Sequence, residues 1–119
     1  MMKKYLLIAM LAALSPQAFA KSAEALKNPA KSVLCDKYIC ADQNGVSATL
    51  TLKYLGKKRE AALTAQGAFD KTAFTFSNGV FCDTREKQCH TDRYFDKDGK
   101  RSPVAGKETR LLFSGGDSQ

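Results

Sequence analysis

Histidine is nearly absent: His90 is the single one in 119 residues. One imidazole cannot build the multi-histidine sites that hold catalytic zinc, and it leaves one ordinary general base for the whole chain. His90 adjoins Cys89, with Asp83 and Asp92 near in sequence, so a Cys–His nucleophile pair is the one such arrangement open, and it requires Cys89 to be a free thiolate. C-x-x-C is absent as well. The C-x4-C and C-x6-C spacings of Cys35, Cys40, Cys82 and Cys89 depart from both the knuckles of structural zinc sites and the dithiol of oxidoreductases. Asp96-x-Asp98-Gly99 opens like a calcium loop, but the bidentate Glu required at the twelfth position is missing, so a turn is the better reading. No apolar run reaches the ~20 residues a transmembrane helix needs, because Pro16 and Gln17 interrupt the longest one. These absences point to a protein with no catalytic residues, no metal and no cofactor.

The residues that are present point outward from the cytoplasm. Lys3-Lys4, the apolar stretch Tyr5–Leu14 and the small-residue site Ala18-Phe19-Ala20 follow the pattern of a secretory signal peptide, with cleavage expected after Ala20. The 99 residues that remain suffice for one domain with one modest core. Removal of Lys3 and Lys4 leaves 17 basic against 12 acidic residues, a net charge of +5, which favours anionic partners over basic ones. An even number of cysteines in a short exported chain reads as two structural disulfides. The location expected is the periplasm, with release to the exterior as the other outcome, and without a transmembrane anchor.

Along the chain, 21–31 is polar and reads as a flexible segment with at most a helical turn around Ala23–Leu26; 32–113 reads as a single domain and 114–119 as a frayed tail. Ser32-Val33-Leu34-Cys35-Asp36 and Gly79-Val80-Phe81-Cys82-Asp83 look alike, and each is followed by a second cysteine with an aspartate after it. Each reads as a hairpin. A two-residue turn at Lys37-Tyr38 sets Cys35 opposite Cys40 at a non-hydrogen-bonded pair, close enough to bridge, so local pairing (Cys35–Cys40, Cys82–Cys89) is preferred while two cross-hairpin connectivities stay open. Leu50–Leu55 alternates like a strand, but a Ser47 cap, a Gly56 stop and the spacing of Val46, Leu50 and Tyr54 favour a helix; a second helix is expected over Lys57–Gln66, ending at Gly67. Thr72–Phe76 and Val80–Cys82 form a hairpin around Asn78-Gly79, Arg93–Phe95 and Arg101–Val104 another, and Thr109–Phe113 reads as a last strand. The architecture expected is α+β: a small antiparallel sheet of hairpins with one or two short helices on one face, stapled by two disulfides.

Basic residues gather in Lys57-Lys58-Arg59 and in Arg93, Lys97, Lys100 and Arg101, with Tyr94 and Phe95 interleaved in the second group. Arginine alternating with aromatic residues can stack bases or sugars while the charges hold phosphates, and the candidate binding residues are Lys57, Lys58, Arg59, Arg93, Tyr94, Lys100 and Arg101.

Phe74-Thr75-Phe76-Ser77-Asn78-Gly79-Val80-Phe81-Cys82-Asp83, with Tyr54-Leu55-Gly56 before it and Asp92-Arg93-Tyr94-Phe95 and Asp98-Gly99-Lys100-Arg101-Ser102 after it, resembles the YcgJ-like family, also called the Fels prophage protein-like family. The resemblance runs from about Val33 to Phe113 and implies a small exported protein of a Gram-negative bacterium; it brings no activity and no functional residues with it. The function expected is therefore a non-enzymatic periplasmic interaction protein with an unknown protein partner, of inhibitor or immunity type. A binder of an anionic envelope polymer or nucleic acid is the second class and a small exported enzyme the third. If the N-terminal reading is right, mass spectrometry of the periplasmic product finds Lys21 as its first residue, and a chain lacking residues 1–20 stays in the cytoplasm; an intact, membrane-held N-terminus is the contrary result.

Overall fold

The computed structural model describes residues 24–114. The expected signal peptide, residues 1–20, lies outside them, as do residues 115–119 of the tail. Strands β1 (Lys27–Ala30), β2 (Val33–Cys35), β3 (Cys40–Asp42) and β4 (Gly45–Val46) form one antiparallel sheet in chain order. Helices α1 (Ala48–Leu55) and α2 (Lys57–Ala65) come next, and then β5 (Ala73–Thr75), β6 (Phe81–Asp83) and β7 (Gln88–His90) form a second antiparallel sheet. A last helix, α3 (Gly106–Thr109), continues as a π-helical turn over Arg110–Ser114. The architecture is α+β with two disulfides, its hairpins shared between two sheets. Among the described residues no helix is long and apolar enough to cross a membrane.

Local chemistry accounts for the hairpins. Asp36 N–H donates to Ile39 C=O at 3.0 Å, which makes Cys35 and Cys40 the next, non-hydrogen-bonded pair, with Cα atoms 4.1 Å apart and a disulfide between them. The Asp36 carboxylate fixes the turn by accepting from Tyr38 N–H (2.7 Å) and Ile39 N–H (2.8 Å) on one oxygen. Cys82 and Cys89 face each other in the same way at 4.0 Å across β6 and β7, and Asp83 accepts from Arg85 N–H at 2.9 Å. Both bridges are local, which resolves the connectivity. In the chain-entropy account each closes a short loop worth about 2 kcal/mol.

The likeness of the two cysteine segments extends to the helix beyond each hairpin. Ser47 N–H donates to Cys40 C=O (2.9 Å), and one helical turn later the Thr51 hydroxyl accepts from Cys40 N–H (3.0 Å). Ala105 N–H donates to Cys89 C=O (2.8 Å), and one turn later the Thr109 hydroxyl accepts from Cys89 N–H (2.9 Å). Thr51 N–H bonds Ser47 C=O and Thr109 N–H bonds Ala105 C=O, so each threonine stands on the first turn of its own helix. The chain thus uses one device twice: a disulfide hairpin, a short return strand or bridge, and a helix whose threonine caps the second cysteine.

This device corrects the reading of Thr109–Phe113 as a strand. Val104 makes a single bridge to His90, the chain turns, and Thr109 supplies its hydroxyl where a strand would have supplied a backbone carbonyl. Arg110-Leu111-Leu112 has good helical propensity, and the helical turn drives Leu112 fully into the core. Within the segment 21–31 expected to be flexible, β1 occupies Lys27–Ala30, pairs with β2, and is tied down by the Asn28 amide, which donates to Ala30 C=O (2.9 Å) and Val33 C=O (2.8 Å). Pro29 is tolerated there because β1 is an edge strand. The hairpin expected around Asp96–Lys100 forms its turn but reduces to one bridge, Phe95 with Arg101.

Both helices behave as their termini require. Ser47 Oγ accepts from Leu50 N–H at 3.0 Å, and Gly56, at φ 98°, ends α1 and opens α2. Leu63 of α2 joins Leu34, Phe74, Phe76, Val80 and Leu112 in the main core. The two sheets meet where Gly45, at φ 122° and lacking a Cβ, lets the Lys71 carbonyl approach, and Val46 N–H donates to that carbonyl at 2.9 Å.

Thr51→Val and Thr109→Val keep shape but leave a fully buried cysteine N–H without an acceptor; each should lower stability by about 1–3 kcal/mol in urea denaturation of the oxidised protein, and the corresponding serine variants should recover most of it. Non-reducing peptide mapping should recover Cys35 linked to Cys40 and Cys82 linked to Cys89 with no free thiol.

Candidate binding groove

The candidate residues separate into three groups. His90 is buried on β7, with Nδ1 2.9 Å from Ser102 C=O and Nε2 3.2 Å from a Glu86 carboxylate oxygen. Cys89 is held in a disulfide, so the Cys–His pair has no thiolate to use. His90 instead ties β7 to the 101–104 segment.

Arg101 is occupied by its own chain. Its guanidinium lies between the rings of Phe81 (4.9 Å) and Phe95 (4.6 Å), with the Asp83 and Glu86 carboxylates each 3.7 Å away. Stacking and charge both hold it there. Tyr94 and Lys100 are exposed, and with Phe95 and Arg101 they border a shallow depression of about 290 Å³. Asp96 accepts from Asp98 N–H (2.8 Å) and Lys100 N–H (3.0 Å), so the calcium-like sequence is the inside of a turn.

Arg93 lines an open groove, and Arg59 stands beside it on the ring of one of its lining residues, Tyr38. The groove, of about 520 Å³, runs between the β2–β3 turn, the end of α2 with the loop after it, and the outer edge of β5. Val46, Leu63 and Phe74 make its apolar floor, and Tyr38, Phe69 and Arg93 stand on its rim. Arg59 lies over the Tyr38 ring at 4.8 Å, and Lys71 over the Phe69 ring at 5.6 Å. Lys57 and Lys58 are exposed on the first turn of α2.

The charges of the groove are unequally engaged. Asp36, buried, accepts Tyr38 and Ile39 N–H on one oxygen and Ser77 N–H on the other at 2.6 Å. Asp70 accepts both the hydroxyl and the N–H of Thr72 on one oxygen and faces Arg85 at 3.4 Å with the other. The Thr72 hydroxyl is the main cause, with its N–H next, that holds the Asp70 carboxyl below its ordinary range; Arg85 adds to the effect. In contrast, Arg59, Lys71 and Arg93 have no carboxylate within ion-pair distance among the described residues. An apolar trough with occupied carboxylates and unneutralised cations can hold a ligand that is part apolar and part anionic.

Sequence reasoning singled out Arg59 and Arg93 but missed Asp36, Tyr38, Phe69, Asp70 and Thr75, which shape the groove. One signal was available: an aspartate comes directly after the first cysteine of each hairpin, at Asp36 and again at Asp83. Nothing local indicated that Asp36 reaches Ser77, 41 residues away.

Most of this chain has a counterpart among known proteins. Over 100 residues it is 47% identical to the Escherichia coli (strain K12) protein described as "Uncharacterized protein YcgJ", a match covering 83% of this chain and 82% of that protein. No solved structure matches. A family model described as "YcgJ protein" matches residues 26–113, from just before β1 to the π-helical turn, and the chain accordingly belongs to the YcgJ protein family.

Proposed function

We propose that this chain is a non-enzymatic binding protein of the periplasm, and that it recognises an anionic segment of a protein partner in the groove beside β5. The observation that carries the proposal is the inequality of charge there. Both carboxylates lining the groove are taken up by N–H groups and Arg85, while Arg93 lines it, and Arg59 and Lys71 lie over the rings of its lining residues Tyr38 and Phe69, all three without a counter-ion among the described residues. Arginine held on an aromatic ring is already ordered, so less entropy is lost when it meets a carboxylate. The two disulfides support an oxidising compartment, where an exported inhibitor or immunity protein would act. Export to the periplasm by residues 1–20 belongs to the same proposal.

A second reading, a binder of anionic envelope polymer or nucleic acid, draws on exposed Lys57 and Lys58 and the basic excess of the chain. It differs in salt response, since polymer binding releases many counter-ions and falls steeply with salt. The test uses the mature oxidised protein immobilised against periplasmic extract. Partner retention should fall at least tenfold in Arg59→Glu/Arg93→Glu, while the melting temperature changes little because both side chains lie at the surface. Equal retention by both proteins, or strong retention on heparin that the double variant keeps, counts against the groove.

A further inference from the structure

Strand β5 is the outer strand of its sheet, and its outward edge is one wall of the groove. Register decides which backbone groups face that edge. Phe76 N–H donates to Val80 C=O and Thr84 N–H donates to Thr72 C=O, both across the β5–β6 hairpin, and Phe74 lies opposite Cys82. Residues 72, 74 and 76 therefore direct their N–H and C=O groups toward β6. Those of 71, 73, 75 and 77 point the other way, into the groove.

At both ends of that outward row the chain's own groups are in place. Lys71 C=O accepts from Val46 N–H at 2.9 Å, and Ser77 N–H donates to Asp36 at 2.6 Å. Ala73 N–H faces the Asp70 carboxylate. Between them Ala73 C=O, Thr75 N–H and Thr75 C=O have no partner among the described residues. The open groups form an uninterrupted stretch. They sit over the apolar floor of Val46, Leu63 and Phe74, with Arg93 lining the same groove.

We infer that the partner is bound by strand addition: an extended peptide segment with alternating apolar and acidic side chains pairs with Ala73 and Thr75 as a fourth strand on β5. The backbone bonds supply affinity without regard to sequence, apolar side chains fill the floor on alternate positions, and carboxylates meet the rim cations. A second copy of this chain is a poorer occupant, because two basic surfaces would be brought together. The inference rests on the groove being the binding site and adds how the ligand is held.

The test uses fluorescein-labelled heptapeptides in which Glu alternates with Val, Leu or Phe, titrated into the mature oxidised protein and followed by anisotropy. At least one should bind, its counterpart with Lys in place of Glu should not, and the Thr75 amide should gain hydrogen-exchange protection in the complex. Thr75→Pro removes the outward N–H without breaking a β5–β6 ladder bond, since proline is tolerated at an edge position, and should keep the melting temperature while weakening binding at least tenfold. N-methylation of the peptide at alternate residues tests the same bonds on the wild-type protein, so the answer does not hang on that variant folding. Binding that survives both changes but falls in Arg93→Glu overturns strand addition and leaves the groove standing. Absence of binding by every peptide, or concentration-dependent dimerisation that Thr75→Pro abolishes, overturns the inference.

Discussion

A disulfide across a non-hydrogen-bonded hairpin pair draws two backbones to about 4 Å and buries both cysteines completely. Burial on that scale carries the backbone of the second cysteine inside with it, and an unpaired N–H there would cost more than most single contacts in a domain this small return. The rest of the molecule answers that demand. The returning chain donates an N–H to each second cysteine's carbonyl and then turns into helix, and a threonine hydroxyl on that helix accepts the cysteine N–H, once at Cys40 and once at Cys89. These two hydrogen bonds tie the first turn of each helix to its sheet.

The two halves then diverge at the aspartate next to the first cysteine. Asp36 closes its own turn and reaches across to Ser77, coupling the first hairpin to the end of β5. Asp83 closes its turn too, but its second oxygen faces Arg101, which is stacked between Phe81 and Phe95. In one half the carboxylate joins the sheets and shapes a groove; in the other it anchors a long loop. Repetition of the frame with divergence of this residue gives one half a carboxylate that bridges the sheets and the other a carboxylate that holds an arginine.

Much of the frame was legible because its causes are local. Turn length and pleat alternation pair Cys35 with Cys40; Ser47 and Gly56 bound α1; Asn78-Gly79 turns β5 toward β6. The misread segments are those whose local signals were weak or divided. Arg110–Phe113 suits a helix or a strand by pattern, and the cap on Cys89 decides for the helix. Lys27–Ala30 has little strand character of its own and is ordered by Asn28 bonding the neighbouring strand.

Sequence alone determined that the four cysteines form two disulfides, the helix pair, the basic balance and the family, since each depends on residues close together or on composition; the tertiary structure chose the local pairing among the connectivities left open. Which cations are neutralised within the chain was decided only by the tertiary structure. Arg93 and Arg101 are equivalent by composition and stand eight positions apart, yet Arg101 is held by two rings and two carboxylates while Arg93 lines a groove together with Tyr38 and the edge of β5. The physical reason is that a charge is neutralised by its neighbours within a few ångströms in space, and those neighbours come from every part of the chain.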